Sequence, residues 1–133
     1  MNKKISISNI ITFLKPDFIH QDHRGSLVQL VSGGWKQINF NTSFAGTVRG
    51  GHHHKNNREA FFVASGKFNL KLKNGENIVE FLMEKEDFFV IEKNVSHSFE
   101  FVEDTLLIAL YDIGVIEKSA TNQNQIDMYQ DVW

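Results

Sequence analysis

The chain of 133 residues is long enough for one domain with a single core and too short for two. Its net charge of -2 provides no basic pattern for nucleic-acid binding, and the absence of cysteine excludes disulfides and thiolate ligands. The apolar residues near the start form a broken run that is too short to cross a bilayer. We therefore expect a cytoplasmic protein that binds neither nucleic acid nor membrane, in which any metal is held by histidine and oxygen.

From residue 26 onward, short apolar or alternating segments separated by turn residues predict a series of β-strands. The predicted strands cover residues 26–31, 35–41, 59–64, 67–73, 77–83, 87–92, 97–102 and 105–112. Between two of them, Asn74-Gly75 predicts a tight hairpin turn of type I′. Many short antiparallel strands at this spacing are typical of a sandwich, a jelly roll or a barrel. The fold class is therefore all-β.

The segment 49–66, "RGGHHHKNNREAFFVASG", contains three consecutive histidines, followed by an acid. Alternate residues of a strand point to the same face, so His52 and His54 project together while His53 points away, as a solvated residue would. Glu59 lies across the turn on the next strand, and His97 begins a later one. If these side chains converge inside a barrel, they form a nitrogen and oxygen site for a divalent metal.

The same residues resemble the first motif of the cupins, in which spaced histidines and a glutamate are bounded by glycines. Gly46, His52, His54, Glu59 and Gly66 fall on every position of that motif. The second cupin motif is matched only at its histidine, His97. Its glycine, proline, glycine and asparagine positions hold Glu86, Glu92, Asn94 and Phe101.

The resemblance implies a single-domain cupin, a double-stranded β-helix or jelly-roll barrel, over residues 1–117 with an N-terminal lead-in strand. It also implies one divalent metal ion bound by His52, His54, Glu59 and His97. Zinc is the expected ion, and iron, manganese, nickel and copper suit the same ligands. Residues 118–133 are polar and predict a C-terminal extension, either a short helix or an arm on a partner subunit.

Two further segments, "DHRGSLVQL" (22–30) and "GTVRGGHHHK" (46–55), resemble the paired signatures of cupins that act on nucleotide-linked 4-keto sugars. That group includes the sugar 3,4-ketoisomerases, the cupin domain of bifunctional capsular-polysaccharide reductases, and the 3,5-epimerases of deoxysugar synthesis. Residues 35–63 are most similar to the capsular-polysaccharide branch. The tyrosine that ketoisomerases tend to carry before the Arg-Gly motif has no counterpart, since Ile38 and Asn39 occupy that region.

The resemblance implies an epimerase or isomerase of a nucleotide-linked 4-keto-6-deoxy sugar for a surface polysaccharide, working as a homodimer. Such a reaction needs a base to remove the proton beside the carbonyl and a positive group to stabilise the enolate. Arg24 and Arg49 are candidates for binding the diphosphate, because guanidinium offers paired donors. Gln37 and Asn39, on the polar face of an alternating strand, are candidates for binding sugar hydroxyls.

Several alternatives remain open at this point. In a metal-free ketoisomerase, His52 and His54 would be the catalytic acid–base pair. The chain could instead be a non-catalytic sugar-binding or regulatory cupin, or an oxygenase that holds iron with the same ligands. The two arginines could also form ordinary surface salt bridges, and the polar face with Gln37 and Asn39 could be solvent-exposed.

Overall fold

The computed structural model describes residues 3–114, 127–131 and 133. Its strands are β1 (Ile11–Phe13), β2 (Phe18–Asp22), β3 (Gly25–Gln29), β4 (Gln37–Ser43), β5 (Val48–His53), β6 (Glu59–Ser65), β7 (Lys67–Asn74), β8 (Asn77–Glu84), β9 (Phe88–Ile91), β10 (Ser96–Phe101), β11 (Thr105–Tyr111) and β12 (Tyr129–Gln130). No helix occurs among these residues. None of them therefore forms a helix with the length and apolarity needed to cross a lipid bilayer.

The strands form two five-stranded sheets and a separate hairpin. The first sheet has the order β1-β9-β6-β11-β4, the second has the order β12-β5-β10-β7-β8, and β2 pairs with β3. Every neighbouring pair is antiparallel. The prediction of an all-β, single-domain jelly roll is confirmed.

The main core lies between the two sheets and is rich in phenylalanine. Phe61, Phe68, Phe81, Phe89 and Phe99 belong to it, and each is at most 5% exposed. Aromatic rings of this size bury much apolar surface, which supports a small barrel that has no disulfide.

The central strand β6 is buried on both faces because it contacts two different clusters. Phe61 and Val63 face the main core, whereas Ala60 and Phe62 face a second cluster on the outer side of the first sheet. Trp35 packs against that outer cluster from the segment before β4. The continuous apolar run in this strand reflects two-sided burial.

The hairpin between β7 and β8 was predicted correctly, but its turn lies one residue later. Asn74 pairs with Asn77, so the two loop residues are Gly75 and Glu76. Only Gly75 has a positive φ, +64°. A positive φ at the first loop position alone is the pattern of a type II′ turn, so the type I′ prediction was wrong.

The predicted C-terminal extension is described in part. Residues 115–126 and 132 lie outside the described residues. Within the remainder, β12 pairs with the outer edge of β5 in the same chain, with Tyr129 opposite His53 and Gln130 opposite His52. The end of the chain therefore lies beside the strand that carries two of the candidate ligands.

Candidate functional site

The structure brings His52, His54 and His97 together inside the barrel. His52 on β5 lies directly opposite His97 on β10, and His54 follows the end of β5. Their ring centroids are 4.6 to 5.2 Å apart, and one ring nitrogen from each lies within 4.8 Å of the others. This is the convergence that the sequence spacing predicts.

Glu59, the fourth predicted ligand, begins β6 and faces the same point. Its Oε1 lies 3.2 Å from His54 Nε2 and 3.5 Å from His97 Nε2. The carboxylate is only 4% exposed. The four residues thus form a compact cluster of three nitrogens and one carboxylate, a donor set that divalent transition metals accept.

A bulge at two glycines places Arg49 on the same wall as His52. Gly50 pairs with Ser98 and His52 pairs with His97, so Gly51 is an extra residue in β5. Both glycines have positive φ, +98° and +74°. Without the bulge, the alternation of a strand would point Arg49 and His52 to opposite faces, whereas both line the central cavity.

The backbone fixes which nitrogen of each buried histidine is available. His97 Nδ1 lies 3.0 Å from the carbonyl oxygen of Val95, and His54 Nδ1 lies 2.6 Å from that of Asp127. A carbonyl can only accept, so both Nδ1 atoms carry hydrogen. Nε2 of His97 is then free to offer a lone pair, and Nε2 of His54 can do so once it gives up the proton that it shares with Glu59. Histidines that bind metals usually donate their other N–H in this way.

The strongest indication of a ligand at this point is the unpaired nitrogen Nε2 of His97. It is a fully buried polar atom with no hydrogen-bond partner among the described residues. An unpaired buried nitrogen costs free energy unless something else satisfies it. The residues present therefore fit a metal ion at this point of the cavity.

The electrostatics of the cluster keep His97 neutral. Burial lowers the pKa of its imidazole to about 4. Burial together with the neighbouring His54 also lowers the pKa of His52. Both rings therefore offer unprotonated nitrogens at neutral pH, which is the form that a metal ion requires.

His54 and Glu59 behave as a hydrogen-bonded pair. Burial alone would lower the pKa of His54, but the hydrogen bond and charge of Glu59 outweigh it and raise that pKa. Burial would likewise raise the pKa of Glu59, and the hydrogen bond from His54 and the charges of His97 and His54 lower it instead. The pair therefore holds one proton that a bound cation would displace.

The burial of His97 should make the metal-free protein sensitive to mild acid. In the unfolded chain its imidazole takes up a proton below its ordinary pKa of 6.5, whereas the folded ring stays neutral to about pH 4. Stability is therefore lost as the pH falls from 6.5 to 4, by about 3 kcal/mol from this group. Urea unfolding between these pH values would measure the loss.

The matched comparison uses two histidine variants. His97→Gln should flatten the pH dependence, while His23→Gln, at an exposed histidine, should leave it as in the wild type. A slope that is the same in all three proteins would contradict the assignment to His97.

The cluster opens into a cavity of about 150 Å³ between the sheets. Beyond the candidate ligands, its polar lining consists of Asn41, Arg49 and Tyr111. Its apolar lining consists of Phe61, Phe99, Phe101, Leu107 and Met128. An apolar cavity with a few convergent polar groups is the usual form of a small-molecule site.

The predicted substrate-binding residues are distributed unevenly around this cavity. Arg49 is exposed at its lining, with Nη2 donating to the carbonyl of Thr42 at 3.0 Å. Gln37 and Asn39 are on the half-buried face of β4, and Gln37 Nε2 donates to Asn39 Oδ1 at 3.2 Å. They do not line the cavity, although Asn41 on the same face does.

Arg24 lies away from the cavity within one copy of the chain. It directly precedes β3 in the turn after β2, its side chain is 76% exposed, and its Nη2 lies 2.6 Å from Asp22 Oδ2. Hydrogen bonds from Arg24 lower the pKa of the Asp22 carboxyl to about 2. The structure therefore does not bring Arg24 together with Arg49.

Tyr111 is a site residue that the sequence analysis did not select. It lies opposite Glu59 on one side and Gln37 on the other, and it lines the cavity together with Glu59. Burial and the neighbouring Glu59 carboxylate raise the pKa of the Tyr111 hydroxyl, so the phenol stays neutral. Its alternation with the buried Leu107 along β11 was the signal that could have identified it.

Comparison with known proteins identifies the family of this chain. A family model described as "Polysaccharide biosynthesis C-terminal domain" matches residues 20–123. A search of the curated proteins found no match to the sequence.

Similar solved structures come from three kinds of protein. A 3,4-ketoisomerase from Thermoanaerobacterium thermosaccharolyticum, in complex with TDP-4-keto-6-deoxyglucose, aligns over 84% of this chain and 86% of its own, with 17% identity and a TM-score of 0.73. The dTDP-4-dehydrorhamnose 3,5-epimerase from Sulfolobus tokodaii aligns over 86% and 76%, with 18% identity and a TM-score of 0.71.

The third is the capsular polysaccharide assembling protein CapF from Staphylococcus aureus, which has 24% identity and a TM-score of 0.62. The alignment covers 91% of this chain but only 35% of that protein. These structures share the cupin jelly roll with this chain. Because the family model spans most of the sequence, including all four candidate ligands, the chain belongs to the family of polysaccharide biosynthesis C-terminal domains.

Proposed function

We propose that this protein is a metal-dependent epimerase or isomerase that acts on a nucleotide-linked 4-keto-6-deoxy sugar during surface polysaccharide synthesis. The observation that carries the proposal is the buried, unpartnered His97 Nε2, surrounded by His52, His54 and Glu59 at the wall of a cavity. The solved neighbours supply the substrate class, since one of them holds a TDP-linked 4-keto-6-deoxy sugar.

In this proposal four residues hold the metal ion, and Tyr111 orients one of them. His52, His54, His97 and Glu59 would hold one divalent ion, with zinc the first candidate. The ion would supply a Lewis acid that stabilises negative charge on the oxygen of an enolate. Tyr111, which lies opposite Glu59 on the neighbouring strand, would orient that carboxylate by donating its hydroxyl hydrogen to it.

The activity can be tested by incubating the zinc-loaded protein with nucleotide-linked 4-keto-6-deoxy sugars in D2O. We expect NMR and mass spectrometry to detect either deuterium at the carbon beside the carbonyl or a product in which the keto group has moved to the neighbouring carbon. His97→Gln protein serves as the inactive control. Tight sugar binding without exchange or rearrangement of any such sugar would favour a binding module and contradict the enzyme proposal.

One observation favours a metal-free alternative. The hydrogen bond of 3.2 Å between His54 and Glu59 is the arrangement of a histidine–carboxylate acid–base pair, and His52 stands beside it as an unprotonated base. A metal-free ketoisomerase would use this pair directly. The two mechanisms differ in whether turnover survives removal of the metal.

Arg49 is proposed to bind the diphosphate of the substrate. A charge-assisted hydrogen bond contributes roughly 1.5–3 kcal/mol, so Arg49→Ala should weaken binding of TDP about 10- to 100-fold. Titration calorimetry would measure the loss. Lys36→Ala, at an exposed cation before β4, should bind as tightly as the wild type. Equal affinity in all three proteins would exclude Arg49 from the substrate site.

We also propose a homodimer, because β4 presents its apolar face outward. Ile38 is 67% and Phe40 is 66% exposed, whereas the alternating polar residues Gln37, Asn39 and Asn41 are half-buried on the other face. The β2–β3 hairpin likewise exposes Phe18, Ile19 and Leu27, each at 50% or more. So much exposed apolar surface marks an interaction site. A second copy of the chain would cover it.

The dimer can be tested by sedimentation at micromolar concentration. Phe40→Glu should convert the dimer into a monomer, because it would place a charge in the apolar interface. Lys36→Glu, just outside β4, should remain dimeric. A monomeric wild-type protein would contradict the proposed homodimer.

We also propose a cytoplasmic location, since a cysteine-free chain needs no oxidising compartment.

A further inference from the structure

The described end of the chain, residues 127–131 and 133, is here called the C-terminal segment. It lies outside residues 20–123, which the family model matches. Its strand β12 pairs with His52 and His53 on β5, and Asp131 N donates to the carbonyl of Gly51 at 2.8 Å. The segment therefore covers the outer edge of the strand that carries the glycine bulge and His52.

Asp127 contacts both the ring of His54 and the turn that follows it. Its carbonyl accepts from His54 Nδ1 at 2.6 Å. Its carboxylate accepts from Lys55 N at 2.8 Å, Asn56 N at 2.9 Å and Asn57 Nδ2 at 2.7 Å. Asp127 is only 8% exposed. Three hydrogen bonds to the Asp127 carboxylate thus hold the Asp127 carbonyl in place against the His54 imidazole.

The same segment makes two further contacts with the site. Asp131 bonds to His53 Nδ1 at 2.9 Å and accepts from Ser96 Oγ at 2.6 Å, which connects β5 to the residue before His97. Met128 forms part of the cavity wall. The segment is therefore connected to the cavity through its side chains as well as through its backbone.

We infer that Asp127 of the C-terminal segment is a positioning residue of the proposed metal centre, and that it selects the Nδ1–H form of neutral His54. A neutral imidazole has one N–H, and the carbonyl of Asp127 can only accept it. This leaves His54 Nε2 facing Glu59 as the nitrogen available to an ion. The inference rests on the proposed metal site for its purpose, but the state of His54 can be measured without a metal.

The test compares full-length, metal-free proteins labelled with ¹⁵N-histidine, at a pH high enough that the ¹⁵N shifts of His54 no longer change and its ring is neutral. In the wild type, His54 should show hydrogen on Nδ1 and a lone pair on Nε2. Asp127→Ala should give a mixture of the two forms at His54. His97, which donates to Val95, should stay unchanged in every protein and provides an internal reference.

Asp131→Ala is the matched control, since it loosens the same segment through His53 and Ser96 without touching His54. It should keep the wild-type form of His54. Zinc affinity, measured by competition with a coloured chelator, should fall about 10- to 100-fold in Asp127→Ala and less than about threefold in Asp131→Ala. If circular dichroism shows that Asp127→Ala does not fold, Asp127→Asn replaces it. This variant should also give a mixture of the two forms of His54 and a lower zinc affinity, with smaller changes in both.

An unchanged form of His54 in the Asp127 variant would overturn the inference, as would equal effects of the two aspartate variants on the form of His54. A wild-type protein that binds no zinc or other divalent ion would contradict the proposed function instead. The NMR result would still decide whether Asp127 orients His54. The two failures are therefore distinguishable.

Discussion

Alanine in place of Gly50 should destabilise the protein by about 3 kcal/mol or more and disrupt the candidate metal site. Gly50 has a φ of +98°, a conformation that costs a residue with a side chain roughly 1–2 kcal/mol. A Cβ at this position would also lie 2.6 Å from the carbonyl oxygen of His97. Because that atom belongs to the backbone, β5 and β10 would have to separate at the point where His52 and His97 face each other.

Urea unfolding and zinc affinity would measure the two consequences. Gly46→Ala is the matched control, because Gly46 has a similar φ of +87° but open space around the position of a Cβ. It should cost only the conformational penalty of about 1–2 kcal/mol and leave zinc affinity unchanged. If both variants lost similar amounts of stability and of zinc affinity, the effect of Gly50→Ala would not come from the close approach of β5 to the backbone of His97.

The strands were largely predictable, because alternation and turn residues are local signals. The predicted strand 59–64 corresponds to β6, Glu59–Ser65, and 105–112 corresponds to β11, Thr105–Tyr111. The short strands β1, β2 and β12 were given no residue ranges, although an N-terminal lead-in strand was expected. They have few residues over which alternation can be read, and β1 is defined mainly by its pairing with β9.

The convergence of His52, His54, Glu59 and His97 was predictable from spacing, but the position of Arg49 in the cavity depends on the bulge. Simple alternation places Arg49 and His53 on one face and His52 on the other. The extra residue Gly51 reverses this order, so Arg49 joins His52. Two glycines in a strand suggest a bulge, but the number of residues it absorbs depends on the partner strand.

The second cupin motif matches poorly in residue type, but the backbone at two of its glycine positions keeps the conformation that glycine would adopt. Glu86 and Asn94 stand where the cupin motif has glycine, and both adopt positive φ, +75° and +65°. Their backbone N–H groups donate to the carbonyls of Val63 and His54 at 2.7 Å. The turns therefore keep the left-handed conformation that glycine usually provides, and tertiary hydrogen bonds hold it in place.

The role of the C-terminal segment had no sequence signal at all. Asp127 follows a polar stretch without periodicity, and its contact with His54 joins residues 73 positions apart. Contacts of this kind depend on which strand edge is left open by the rest of the fold. The outer edge of β5 is such an edge, and β12 occupies it.

Removing the metal with a chelator should abolish turnover on the order of 10³-fold while leaving the fold and nucleotide binding intact. The fold should persist because the main core, with Phe68, Phe81 and Phe89 almost fully buried, packs between the sheets without the site. Nucleotide binding should persist because Arg49 is not one of the four candidate ligands.

The measurements are circular dichroism, TDP titration and sugar turnover on the same stripped sample, followed by restoration with zinc. Full activity in the stripped, folded protein would contradict the metal mechanism and favour acid–base chemistry by His52 and the His54–Glu59 pair. The two mechanisms exclude each other, because a ring nitrogen that ligates a metal cannot also accept a proton. Since Nδ1 of His54 already donates to Asp127, Nε2 is the atom of this ring for which a proton and a metal ion must compete.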